Sequence, residues 1–167
     1  MAGDRLMRDP LLPQILLAAA LGLALSYSAG RAAVVIMVVT AVAVALIPLS
    51  GLSEDWVFTG AWMSVAVMAA SVHLPDAWRL RAEPWLSRGM ALWAGVWAGL
   101  LSHLAVAPAS LGFALPFLGL AWAGVWLVGR GWGIAVKVAA SWLIAVAVLQ
   151  VGLGFVPTPG YEGDHLE

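Results

Sequence analysis

A chain of 167 residues that is 63% hydrophobic and only 10% charged, with a mean hydropathy of +0.96, lies far from the makeup of a water-soluble domain, where about a quarter of residues are charged. Its net charge of −1, with seven Arg and one Lys scattered along the chain, supplies no basic field for nucleic acid. The absence of Cys removes disulfides, thiolate metal sites, dithiol redox chemistry and thiol nucleophiles together.

In chain order, the first apolar run spans 11–27. It follows Arg5 and Arg8 as a signal peptide would, but Asp4 and Asp9 sit in its basic region, and Pro10 and Pro13 fall where a clean apolar stretch is required. Five more apolar runs follow, near 32–49, 56–74, 89–107, 110–128 and 132–156, so the first is read as a retained span. Runs of roughly 17–20 residues at 1.5 Å each are about enough to cross a ~30 Å hydrocarbon core. They are apolar on all sides, which argues against the alternating pattern of a membrane β-barrel. The expected fold is therefore an all-α integral membrane protein, a bundle of six transmembrane helices in one domain over 1–167.

Turn chemistry separates the runs at Ser28–Arg31, Ser50–Asp55, Pro108–Ser110 and Gly129–Gly131, with one longer connection at 75–88. Four tight connections predict that sequential helices are antiparallel neighbours. Ser53 has the character of an N-cap, with Glu54 and Asp55 in the first turn, and Pro84 suits a first helical position. In the 75–88 connection, Trp78 and Trp85 alternate with Arg79 and Arg81, a mixture expected on the membrane surface as an ordinary anchor or as a docking surface for a partner.

Orientation follows from the basic residues. Arg31, Arg79, Arg81, Arg88 and Arg130 fall in the odd-numbered connections, against Arg5 and Arg8 on the other side. The odd connections are then cytoplasmic, and both termini and the Glu54/Asp55 loop face the periplasm or exterior of a bacterial inner membrane.

Within the runs, Trp93-Ala94-Gly95-Val96-Trp97 recurs as Trp122-Ala123-Gly124-Val125-Trp126. Gly95-x-x-x-Gly99 is a close-packing motif, and a hairpin between the fourth and fifth runs would set it against Gly119-x-x-x-Ala123. Residues two apart on a helix point about 200° apart, so the glycine face and the tryptophan face cannot both form that contact. The small faces (Gly95, Gly99, Gly119, Ala123) are expected to meet. Trp93, Trp97, Trp122 and Trp126 are then left to lipid, other helices or a partner subunit.

Ionisable groups inside the runs are few. None of the predicted spans holds an Asp or Glu away from its ends, which argues against a proton relay, a cation-coupled carrier or an intramembrane aspartyl protease. Lys137 lies near the start of the last run, where its ammonium can reach back to the headgroups or offer a fixed positive charge to an anionic lipid or substrate group. His73 and His103 differ in expected depth by roughly 20 Å, too far to share a haem iron. His103 alone is expected to hydrogen-bond a neighbouring carbonyl or hydroxyl rather than bind a metal. The tail from Pro157 to His165 reads as solvated, although with Glu54 and Asp55 it offers oxygen and imidazole ligands on the same face. No catalytic motif occurs, and no cofactor is specified.

These features predict a small inner-membrane protein with lipid and a partner membrane protein, or a second copy of itself, as neighbours. The leading class is a non-enzymatic subunit or assembly factor of a larger complex. The second is a transport component for a small solute: six helices in this length, with Ala20-x-x-x-Ala24 in the first, resemble in topology alone the substrate-binding subunits of vitamin uptake systems. The third is a haem- or quinone-interacting membrane anchor built on Ser102, His103 and the Trp cluster.

Overall fold

A computed structural model of the chain describes residues 10–27, 31–48, 51, 53–104 and 110–155, and among these every regular element is helical. In chain order they are α1 (Leu11–Leu25), α2 (Arg31–Leu46), α3 (Glu54–Ser71), α4 (Asp76–Leu104), α5 (Ser110–Ala114), a 3-10 turn (Leu115–Gly119), α6 (Leu120–Gly129) and α7 (Gly133–Phe155). Each of the six apolar runs coincides with a helical rod, the fifth being α5, the 3-10 turn and α6 end to end. The polar tail, the residues before Pro10 and the Pro108–Ala109 connection lie outside the described residues.

Two boundaries differ from the sequence reading, and proline accounts for one. The 75–88 segment is not a connection: α4 begins at Asp76 and runs for 29 residues with Pro84 inside it, so Pro84 removes one internal hydrogen bond instead of opening a helix. At 1.5 Å per residue α4 is roughly 43 Å long. The fifth rod is broken by its 3-10 turn at Pro116, which lacks the N–H an α-helix needs there and disfavours the α conformation of the residue before it.

The helix ends follow their local chemistry. Ser53 takes the extended N-cap conformation before Glu54 and Asp55, though its hydroxyl makes no capping bond. Gly131 has a φ of 81° and closes α6: the Trp132 amide donates to the Leu127 carbonyl at 2.9 Å and the Gly131 amide to that of Val128 at 3.0 Å. This is a Schellman ending, and the left-handed residue it requires is why glycine follows Arg130.

Packing departs from the expected series of hairpins. α1 lies at the centre, touching α3, α4, α5, the 3-10 turn, α6 and α7, with Leu17, Ala18, Ala20 and Leu21 fully covered. The most extensive face joins α2 to α4, two apart in the chain. A Cβ on Gly95 would come within 2.7 Å of the Met37 carbonyl, and one on Gly99 within 2.7 Å of the Ala41 carbonyl. Both numbers rise together, so α2 and α4 run parallel. Trp97 against Gly60 and Trp93 against Ser64 make α3 and α4 antiparallel, and Gly22 against Phe117 followed by Ser26 against Gly124 makes α1 parallel to the fifth rod. The six rods therefore alternate in direction along the chain, while the most extensive face, between α2 and α4, pairs helices of like direction.

Small side chains make this possible. Thirteen of the 27 buried hydrophobic residues among those described are Ala, so backbones approach closely and bulky groups are displaced outward. Two stretches, Gly112–Gly129 and Gly133–Leu153, are long and apolar enough to cross a membrane, and α1 and α2 are shorter apolar helices.

Candidate functional site: an aromatic groove between α3 and α4

α4 presents three different faces. Gly95 and Gly99 admit α2, the Ala98 carbonyl meets α1, and Trp93 and Trp97 turn toward α3, as the 100° step between successive helical residues requires. The last face does not close. Between α3 and α4 lies an open cleft of about 720 Å³ lined by Asp55, Trp56, Thr59, Gly60, Met63, Ser64 and Val67 of α3 and by Trp93 and Trp97 of α4. The α3 positions recur three and four apart, so they form one stripe.

Three side chains fix its floor. The Trp97 indole lies over Gly60, where any Cβ would fall inside the ring. Trp93 donates its Nε1–H to the Ser64 hydroxyl at 2.9 Å, and that hydroxyl donates in turn to the Gly60 carbonyl at 2.7 Å. The two indoles meet edge to face with centroids 6.0 Å apart, a favoured aromatic geometry. Trp93 and Ser64 are thus bonded to each other and to the helix backbone, while Trp97 is held by packing alone, as against Gly60, its buried Nε1 having no hydrogen-bond partner. Near the N-terminus of α3, Val57, Ala61 and Leu101 make a small separate core.

The expected contact of Gly95 and Gly99 with Gly119 and Ala123 does not form. A Cβ on Gly119 would meet nothing within 4 Å, and Ala123 is exposed. The physical reason is that α2 offers the better surface, with Ala33, Met37 and Ala41 buried one turn apart, while the 3-10 turn removes Gly119 from a regular helical stripe. The Trp cluster divides accordingly. Trp93 and Trp97 line the groove, whereas Trp122 and Trp126 stand exposed on α6, with the Arg130 guanidinium 4.1 Å above the Trp126 ring. Trp78 and Trp85 are exposed on the extended first half of α4.

The histidines belong to different contacts. His103 donates from Nε2 to the Val44 carbonyl at 3.0 Å, so that nitrogen carries a proton. His73 Nε2 lies 3.2 Å from Ser141 Oγ, whose own proton goes to the Lys137 carbonyl. The histidine is therefore the donor there as well. Lys137 is exposed one turn into α7.

Sequence reasoning missed Gln14. It is fully buried on α1 and donates from Nε2 both to the Ala98 carbonyl and to Ser102 Oγ, each at 3.0 Å, while its Oε1 has no partner. The signal was available, an amide inside an apolar run, but Gln carries no charge and a search for ionisable groups passes over it. Among the described residues no group of three or more His, Asp or Glu is placed to hold a metal ion. Compared with known proteins, the chain matches no family model, no curated protein and no solved structure.

Proposed function

We propose that the chain is a small polytopic inner-membrane protein whose six rods cross the bilayer, and that it serves as a non-enzymatic subunit or assembly factor of a larger membrane complex. The observation that carries this reading is the inverted distribution of bulk: Ala fills much of the interior, while eight of the ten Trp stand exposed. In water so much exposed apolar surface drives association; in lipid it is the ordinary exterior, with small residues holding the helices together. Directional alternation of the rods supports six crossings. So does the distribution of basic residues, because Arg88, Arg130 and Lys137 belong to one end of the bundle, with Asp76, while Glu54 and Asp55 open α3 at the other.

The subunit role rests on α6. Its Trp122, Val125 and Trp126 form an outward aromatic patch of the kind enriched at protein interfaces, and the Arg130 stack fixes one edge of it. A transport role would want polar groups converging on an enclosed site, whereas the groove is open and largely apolar. Gentle solubilisation and native electrophoresis test the proposal: the protein is expected to migrate in a complex larger than its own micelle. Trp122→Ala with Trp126→Ala is expected to release it as a folded smaller species, and a wild-type chain migrating alone overturns the subunit reading.

A further inference from the structure

Resting on the membrane reading, we propose that the seam between α3 and α7 binds the headgroup of an anionic phospholipid, with its phosphodiester on Lys137 and a headgroup hydroxyl on His73. The two helices are close neighbours, and the end of α3 meets the first half of α7 where His73 donates from Nε2 to Ser141 Oγ at 3.2 Å. Ser141 follows Lys137 by one helical turn, on the same face of α7, and donates to its carbonyl at 3.0 Å. Lys137, Ser141 and His73 are all exposed, with exposed Ile134, Val138 and Trp142 beside them on α7. Polar side chains from two helices thus share one outward patch within an apolar surface.

Charge is the first argument. Among the described residues the Lys137 ammonium has no hydrogen-bond or ion-pair partner. Neither seam helix carries an acid at this end: those of α3 are Glu54 and Asp55 at its far end, and α7 has none. Asp76, shortly after His73 in the chain, already has a partner of its own. An unpaired ammonium favours a phosphodiester whose headgroup brings no second cation. Because His73 donates from Nε2, Nδ1 of the neutral ring is an acceptor, which suits the hydroxyl of a glycerol headgroup.

Depth is the second. Lys137 stands one turn into α7, roughly 6 Å from Gly133 at 1.5 Å per residue, and Trp132, just before that start, is 65% exposed, as an interfacial anchor is. The ammonium therefore lies near headgroup depth. Further along α7, Val138, Trp142, Ala145 and Leu149 recur three and four apart and are all exposed, which makes them one apolar stripe. From Val138 to Leu149 it runs roughly 16 Å, close to the ~15 Å of one leaflet of a ~30 Å core. An acyl chain hanging from the phosphate meets a bed of its own length.

The test is native mass spectrometry of the detergent-purified full chain with palmitoyl-lysophosphatidylglycerol or palmitoyl-lysophosphatidylethanolamine added at equal concentration. Wild type is expected to retain one glycerol lipid about fivefold better than the ethanolamine lipid, the worth of one basic residue near an anionic headgroup, and to keep it when inorganic phosphate is added in excess. Lys137→Gln is expected to abolish the preference and Lys137→Arg to keep it, while His73→Phe is expected to lower retention of the glycerol lipid about twofold, the loss of one weak hydrogen bond. Arg130→Gln removes a charge from the same end of the bundle and is expected to change nothing. Equal retention of the two lipids by wild type, an unchanged preference in Lys137→Gln, unchanged retention in His73→Phe, or as large a loss in Arg130→Gln as in Lys137→Gln overturns the proposal. Displacement by inorganic phosphate overturns the lipid assignment in favour of a free anion. Alkaline extraction of membranes separately tests whether the chain is integral, so failure of the membrane reading is distinguishable from failure of the seam assignment.

Discussion

Gln14 and Gly60 each do something their neighbours cannot. Replacing Gln14 with Leu removes two hydrogen bonds but also the unpartnered Oε1, and interhelical hydrogen bonds in membranes average only about 0.6 kcal/mol, so stability is expected to shift by less than about 1 kcal/mol. Gln14→Glu instead places an acceptor against the Ala98 carbonyl and is expected to destabilise by about 2 kcal/mol or more. Unfolding of the reconstituted protein in a denaturing detergent series measures both, and equal costs would mean that the amide's two donor bonds do not organise this contact. Gly60→Ala drives a Cβ into the Trp97 indole and is expected to cost about 1–3 kcal/mol, read in the same assay. Gly89→Ala, where a Cβ meets nothing, serves as its control. At this scale the sequence shows which residues are unusual, not what they touch. Gly95 and Gly99 carry a recognisable spacing, yet that spacing fits any small-faced partner.

The helices themselves are legible from hydropathy, and the turn at Gly131 from its composition, because both depend on residues close in the chain. Partner choice depends on surfaces far apart. The tight connections suggested consecutive hairpins, but α2 packs on α4, where Met37 and Thr40 meet Gly95 and Ala41 and Val44 meet Gly99. Connection length limits how far apart helix ends can be without dictating which faces meet. Gly95→Leu and Gly99→Leu are therefore each expected to destabilise the fold by about 1–3 kcal/mol through overpacking against α2, while Gly119→Leu is tolerated. Comparable losses at all three positions would restore the hairpin between the fourth and fifth rods. Pro84 is the other lesson: a proline preceded by polar residues resembles a helix start, but Asp76 and the turn at Pro75 open α4 two turns earlier.

If the rods cross a bilayer as proposed, their serpentine order and the placement of Arg88, Arg130 and Lys137 at one end predict a single orientation. Cys introduced beside Glu54 in the Cys-free chain is expected to react with an impermeant maleimide added to intact cells, and Cys beside Arg81 only after the cells are opened. The reverse pattern would invert the molecule and place the mouth of the α3–α4 groove in the cytoplasmic leaflet.

The central position of α1 also governs the order in which the protein can be made. α1 precedes in the chain every helix that packs around it, and its Gln14 amide cannot make its bond to the Ala98 carbonyl until that residue exists, 84 residues later. At about 5–20 residues per second that interval is roughly 4–17 s, during which, on the proposed membrane reading, a polar group waits in lipid without these partners. Chains that stop before α4 are therefore expected to leave the Gln14 amide without either of its two acceptors, Ala98 and Ser102.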